Sequence, residues 1–215
     1  MAIINLKEMK IDEITLRIIG TSAIIQHKWN EKMKDQIRRK KKGEKVKARD
    51  KCDPKQEFIA ATYVGKETGQ FGVPCDAIKK CIINAAHKDV GIEKTLVRKS
   101  IFIQAQDQDI AEPRDLLLFD KVDDPIMRED IVRVGAGSAD LRYRPEFRNW
   151  SIKFALELNS DDIPVETLVN LLTRAGFGVG LQEMRPEKGG DYGRFKVDMS
   201  YIQVLEADEI QKEAA

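Results

Sequence analysis

Residues 150–158 read Trp150-Ser151-Ile152-Lys153-Phe154-Ala155-Leu156-Glu157-Leu158. Trp150, Ile152, Phe154, Leu156 and Leu158 fall on one face of an extended chain, and Ser151, Lys153 and Glu157 on the other. Side chains alternate across a strand, so a period of two predicts a strand with one buried face. The next stretch changes period. Pro164 to Ala175 carries Val165, Leu168, Val169, Leu171 and Leu172 at helical spacing, begins just after Asp162 and reaches Gly176, where a helix is expected to stop. Phe195 to Val204 predicts a closing strand, and the polar tail 206–215 is expected to fray.

Upstream, Ile14 to Gln26 predicts a first strand in which Gly20 interrupts the pattern, as a glycine does at a bulge or sharp bend. Trp29 to Lys42 predicts a helix with Asn30 as its cap, solvated at its far end. Pro54 to Tyr63 predicts a second, capped by Asp53 and burying Phe58, Ile59 and Thr62 or Tyr63. A third opens at Val73-Pro74-Cys75-Asp76, turns Ile78, Ile82, Ala85 and Ala86 to one face and closes at Gly91. Short strands are expected around Ile101 and Ile103, at Leu116 to Val122 and at Ile131 to Val134. The order of strand, helices, strands, helix, glycine loop and strand resembles a ferredoxin-like βαββαβ unit with insertions in its middle. A single α+β domain over 1–215 is expected.

Composition sets the limits. The chain has 215 residues, 42% hydrophobic and 34% charged, which suits a globular core and excludes a disordered chain. The net charge of +1 says nothing about partners, but its distribution does. Arg38, Arg39, Lys40, Lys41, Lys42, Lys45, Lys47, Arg49 and Lys51 crowd one stretch against only Glu44 and Asp50. That stretch, about 38–53, reads as a mobile basic segment able to clamp phosphates, or as a solvated face. The three cysteines form no CxxC pair, and an odd number suits a reducing compartment. With no signal peptide or transmembrane run in the sequence, a cytoplasmic location away from membranes is expected.

Most chemistry is expected in the loop Gly176 to Arg194. It holds Gly176-Phe177-Gly178-Val179-Gly180, Arg185-Pro186 and Gly189-Gly190-Asp191-Tyr192-Gly193-Arg194-Phe195. Glycines permit close backbone approach, and loop N–H groups can hold phosphates. Arg185, Lys188 and Arg194 supply charge, and Tyr192 and Phe177 supply faces for base stacking. Arg185, Arg194 and Tyr192 are expected to share a groove beside Gly189 and Gly190. The alternative is a well-packed connection with Tyr192 in the core. The loop is neither a dinucleotide fingerprint nor a P-loop, because it follows a helix, precedes a strand and lacks GK[ST]. Arg142-Tyr143-Arg144, followed by Phe147-Arg148, suits a ribbon that touches nucleic acid, or a hairpin whose aromatics are core. His27 and His87 are the only histidines. His27 stands where strand gives way to helix, a place for a general base. No spacing of His, Cys or Asp fits a metal site, and no cofactor is expected.

Two segments resemble one family. Gly72-Val73-Pro74-Cys75-Asp76-Ala77-Ile78-Lys79-Lys80-Cys81-Ile82 resembles the "IPGSSLKGALR" helix start of the RAMP superfamily, the repeat-associated proteins of CRISPR systems. It departs from that pattern in lacking the paired serines and the glycine before the helix interior. The loop ending Gly189 to Phe195 resembles the superfamily's C-terminal glycine-rich loop. The resemblance implies a modified ferredoxin-like, RRM-type antiparallel sheet with helical insertions, and backbone subunits that polymerise along guide RNA. Gly20 through Trp29, Met127 to Asp130 and Arg142 to Pro145 also resemble a group of bacteriophage proteins. The leading expectation is therefore a non-catalytic protein that coats single-stranded RNA or DNA, as a homo-oligomer or beside other CRISPR-like subunits. The alternatives are a RAMP-like, metal-independent endoribonuclease with His27 as its base, and a phage structural or assembly factor without nucleic acid.

Overall fold

In the computed structural model, which describes residues 9–29, 31–44, 53–86, 91–134 and 138–205, the chain opens with β1 (Ile11–Gly20) and β2 (Ile24–Ile25). Helices α1 (Glu31–Lys41) and α2 (Pro54–Ala60) follow, then β3 (Gly72–Pro74) and α3 (Cys75–Ala85). Helix α4 (Lys94–Ser100) runs directly into β4 (Ile101–Ile103), with β5 (Asp107–Gln108) and β6 (Asp115–Lys121) after it. Strands β7 (Ile126–Val134) and β8 (Ser138–Phe147) form a ribbon. Strand β9 (Ser151–Asn159), helix α5 (Val165–Arg174) and β10 (Phe195–Leu205) complete the chain.

The main sheet has the order β10-β1-β9-β6-β3, with β4 also paired to β9 and β5 to β6; every pairing is antiparallel. Strands β1, β6, β9 and β10 with helices α3 and α5 make the βαββαβ unit read from the sequence. The fold is α+β and of the modified ferredoxin-like kind. Strands β9 and β10 flank β1 in this one antiparallel sheet, with Ile14 opposite both Leu156 and Val204. Ile14, Leu16 and Ile18 of β1 join Ile152, Phe154, Leu156 and Leu158 of β9 in one core, beneath Ile78 and Ile82 of α3 and Leu168, Leu171 and Leu172 of α5. Hydrophobic burial of this kind is what holds a two-layer domain together.

The insertions depart from the sequence reading. The first strand is two strands, because the chain leaves the main sheet at Gly20 and pairs with β8 at Ile24 and Ile25. The Trp150 indole fills the place of a Gly20 side chain: a Cβ there would lie 2.4 Å from Trp150 Nε1. Gly20 N–H donates to the Trp150 carbonyl at 2.8 Å, and Trp150 Nε1–H donates to the Ser22 carbonyl at 2.8 Å. Phe119 and Phe195 meet the indole edge-on, and Phe119 also packs on Phe147 of the second sheet, β2-β8-β7.

Helix α2 ends at Ala60, and its Ile59 is exposed rather than buried. Asp53 caps it as expected, accepting from the Lys55 N–H at 3.0 Å. Helix α3 ends at Ala85, before Gly91. Helix α5 does not stop at Gly176 but continues as a π turn over Ala175–Val179. Gly176 is needed there because a Cβ would stand 2.1 Å from the Phe195 carbonyl oxygen. Asn30, His87, Gly135 to Gly137 and the tail 206–215 lie outside the described residues.

Edge strand β10 carries an irregularity. Leu16 pairs with Ile202 and Ile18 with Val197, so Asp198 to Tyr201 all stand opposite Arg17. Arg17 donates to Asp198 at 2.6 Å and lies over the Tyr201 ring at 5.0 Å. Ser200 N–H and Oγ–H both donate to Asp198 Oδ1.

Gly20→Ala should displace the indole and cost about 1–3 kcal/mol, the usual penalty of overpacking. The check is a urea melt, with a lower midpoint and an unchanged slope expected. An unchanged midpoint would mean that the ring is not held over Gly20.

Candidate nucleic-acid interface

A cleft of ≈ 350 Å³ opens between α3 and the glycine-rich loop. Its helical wall is one face of α3, with Asp76, Ala77, Lys80, Cys81 and Asn84 at positions i, i+1, i+4, i+5 and i+8. Its loop wall comes from Gly180, Gln182, Glu183, Arg185 and Glu187, and His27, Trp29, Tyr63 and Arg114 complete it. Trp29 is 52% exposed, whereas Tyr63 is buried.

The loop is fixed rather than open. Cys81 Sγ–H donates to the Gly180 carbonyl at 3.2 Å. Leu181 N–H reaches the Gly193 carbonyl at 2.9 Å, and Gly193 N–H reaches Ala23 at 2.7 Å. Gly193 sits at φ +68°, and a Cβ there would lie 2.0 Å from the Leu181 carbonyl oxygen, so glycine is required for the loop to close on itself. Gly190 is shut in by the Met184 carbonyl, but Gly189 faces open space. Of this pair only Gly189 presents the exposed backbone expected from the sequence.

The expected groove of Arg185, Tyr192 and Arg194 does not form. Arg185 lines the cleft, where it pairs with Glu187 at 2.9 Å and donates to the Gln182 carbonyl at 2.9 Å. Half-buried Tyr192 lies under the Arg128 guanidinium, 4.9 Å from ring centre to carbon. Arg194 lies 5.1 Å over the exposed Phe177 ring, and its Nε is buried without a partner among the described residues. Neither Tyr192 nor Arg194 lines the cleft. Lys188 ends a 3-10 turn over Pro186–Lys188 and is exposed.

The ribbon uses its arginines internally. Register places Arg128 opposite Arg144 and Asp130 opposite Arg142, so all four share one face. Arg144 is 2% exposed and pairs with Asp130 at 2.8 Å and Glu183 at 3.4 Å. Arg128 pairs with Asp130 and Glu146, and Glu146 also holds Arg148 at 2.7 Å. A buried charge must be paired, and this network pairs it. Arg142 pairs with Asp140 at 3.5 Å and donates to His27 Nε2 at 3.1 Å. Arg144 therefore has no open face for a phosphate, and Tyr143 lies on the other face of the ribbon.

The basic segment starts as helix: Arg38 to Lys41 belong to α1. Arg39, Lys41 and Lys42 are exposed there, and Lys40 lies between them. Lys45 and Lys47 lie outside the described residues. Lys34 ties α1 to Glu112 at 2.6 Å, and Glu112 also pairs with Arg114 in the cleft wall at 3.3 Å.

His27 is poorly suited to the general-base role. A guanidinium can only donate, so Arg142 occupies the Nε2 lone pair, and Nδ1 is left as the protonated nitrogen. Burial foremost, then the charges of Arg142 and Arg144, push the imidazole down to about 4 against the opposing pull of Asp140. Burial pushes the Cys75 and Cys81 thiols up to about 12, far from a reactive thiolate. Among the described residues no three His, Cys, Asp or Glu side chains cluster as a metal site would require. No described helix is long and apolar enough to cross a membrane.

Sequence reading did not single out Trp29, Tyr63, Asn84, Arg114 or Gln182 for this site. Their one local signal is Trp29 directly after His27-Lys28, an aromatic set at a strand-to-helix joint.

The fold is ferredoxin-like with helical insertions, and the cleft opens between its first core helix and the glycine-rich loop. The sequence matches no protein-family model and no curated protein. Among solved structures, a chain of the type III-B Cmr-beta complex, determined by cryo-EM bound to cognate target RNA, shares this fold with a TM-score of 0.51 and 9% sequence identity. The match covers 92% of the present chain and 62% of that one, so the present chain spans less than two thirds of its neighbour's length.

Two outcomes are expected. Arg144→Ala leaves the buried Asp130 carboxylate with Arg128 as its remaining ion-pair partner and empties a buried site, and should cost about 1.5–3 kcal/mol, whereas Arg39→Ala should stay within about 0.5 kcal/mol; equal melting midpoints for the two variants would contradict the ribbon network. His27 should make stability depend on pH. Its folded value of about 4 lies below the unfolded 6.5, so between them the unfolded chain binds the extra proton. The contribution is complete above 6.5 and lost as pH falls toward 4. His27→Gln should flatten that part of the melting profile, and an unaltered profile would show that the ring is not held in its neutral form.

Proposed function

We propose that the protein binds single-stranded RNA without cleaving it, as one subunit of a larger protein–RNA assembly. The observation that carries this reading is the division among its cations. Arg128, Arg144 and Arg148 are spent on the ribbon's own carboxylates. Arg39, Lys41 and Lys42 stand exposed at the end of α1. A chain of ion pairs through Lys34, Glu112 and Arg114 leads from that helix to a cleft with an exposed indole. Phosphates want the first feature and bases the second. The like-folded chain from an RNA-bound complex supports the choice of RNA and of partner subunits. The non-catalytic reading is supported by His27, whose ring nitrogens are not arranged to take a proton from a ribose hydroxyl.

Anisotropy of a labelled single-stranded RNA, measured across a salt series, tests this reading. Changing Arg39, Lys40, Lys41, Lys42, Lys45 and Lys47 together to glutamine should weaken binding for every sequence and reduce the log–log salt slope by about 0.7 per lost phosphate contact. An absence of binding, or an unchanged slope, would overturn the proposal. RNA incubated with the protein without metal should stay intact, and cleavage lost in His27→Gln would favour the nuclease alternative.

A further inference from the structure

The cleft mixes charge with an aromatic face, and the pairing of its charges says which part of a nucleotide fits. Each cation in or beside its wall is matched: Lys80 with Asp76 at 2.6 Å, Arg185 with Glu187 at 2.9 Å and Arg114 with Glu112 at 3.3 Å. Glu183 is matched as well, by buried Arg144. A phosphate entering here would have to displace a carboxylate from its partner and then lie beside it. A neutral, flat group with hydrogen-bonding edges faces no such cost. The walls offer what such a group needs. Trp29 is the exposed one of the two tryptophans, Trp150 being 1% exposed. Arg114 lies over the Tyr63 ring at 5.9 Å, so its guanidinium adds a second planar surface. Asn84 and Gln182 line the cleft from its helical and loop walls, each with a side-chain acceptor and donors, and the Asn84 Oδ1 also accepts from Lys94 Nζ at 3.3 Å. The volume of ≈ 350 Å³ is at the small end for ligand clefts, ample for one heterocycle.

We propose that this cleft is a nucleobase site: it takes one unpaired base, stacked on Trp29 and held at its edge by Asn84 and Gln182, with sugar and phosphate left outside. The inference rests on the RNA-binding reading and sharpens it, placing bases in the cleft and phosphates on α1. The base comes either from the bound strand or from a free nucleoside.

Trp29 provides its own probe. Emission is recorded while adenosine, guanosine, cytidine, uridine, a mixed-sequence single-stranded RNA, ribose 5-phosphate and inorganic phosphate are each titrated in. The RNA should quench Trp29, while ribose 5-phosphate and phosphate should not. Quenching by nucleosides too would show that the site also takes free bases, and quenching by RNA alone would assign it to a strand-borne base; both sustain the site. Trp29→Ala should abolish the response and weaken RNA binding roughly tenfold, the loss of one base–aromatic stack. Trp29→Phe should keep most of the affinity, which a merely structural role of the indole would not predict. Asn84→Ala with Gln182→Ala should weaken binding while the melting midpoint holds. An RNA shift of unaltered affinity in Trp29→Ala, without quenching in the parent, would overturn the base site and leave RNA binding standing. Quenching by nucleosides with no RNA shift would do the reverse. Quenching by inorganic phosphate at matched concentration would also overturn the proposal.

Discussion

The Trp150 indole lies where a side chain on residue 20 would be, and the two-sheet arrangement follows from that contact. It ends β1 at Gly20 and turns the chain away from the main sheet. The same ring donates to Ser22, which fixes the direction of departure. The segment that emerges is then clamped on both sides. The fully buried Gln26 side chain donates to the Gly72 carbonyl at 2.8 Å and accepts from the Tyr63 N–H at 3.1 Å. Lys28 pairs with Asp109 inside the protein, and Asp109 also accepts from the Val64, Ala111 and Glu112 N–H groups. His27 and Trp29 alternate with these two buried side chains and so line the cleft. A strand-like period of two, once redirected, sorts structural side chains from available ones.

The sorting extends to charge. Buried arginines need partners, and the ribbon supplies carboxylates to Arg128, Arg144 and the neighbouring Arg148 at hydrogen-bonding distance. The result is a rigid, internally neutral brace between the second sheet and the glycine-rich loop, through Arg144 to Glu183 and Arg128 to Tyr192. Guanidinium groups that look available in the sequence act here as struts. The solvated cations of α1 are of a different kind, because no buried surface constrains them.

Much of the core was legible because it obeys one-dimensional rules. Strand β9 alternates without a break and α5 keeps its helical spacing, so the bounds of β9 and the start of α5 emerge within a residue, while the far end of α5 runs on as a π turn. The ribbon was harder to read because its inward face is charged, not apolar: Arg128, Asp130, Arg142 and Arg144 occupy positions where alternation leads one to expect valine or leucine. Strands β2, β3 and β5 have two or three residues each, too few for any period. The glycine-rich loop was found as a functional-looking segment, but its glycines serve two purposes that sequence cannot separate. Gly176, Gly190 and Gly193 admit neighbouring backbone of the same chain, while Gly189 faces outward. The cleft was illegible for a further reason: its walls come from residue 27 to residue 187, and only the topology brings them together.

The crowded turn in β10 has a bearing on how copies of this chain behave at high concentration. An edge strand displays unsatisfied backbone donors and acceptors to any passing strand. Here four residues stand opposite one, and Ser200 spends its N–H on Asp198 within the same strand. The hydrogen-bonding row is interrupted midway, so an incoming strand finds two short stubs out of phase rather than one template. Edge-to-edge stacking through this strand is thereby discouraged, and association at this edge is left to side-chain surfaces, where shape and charge can choose the partner.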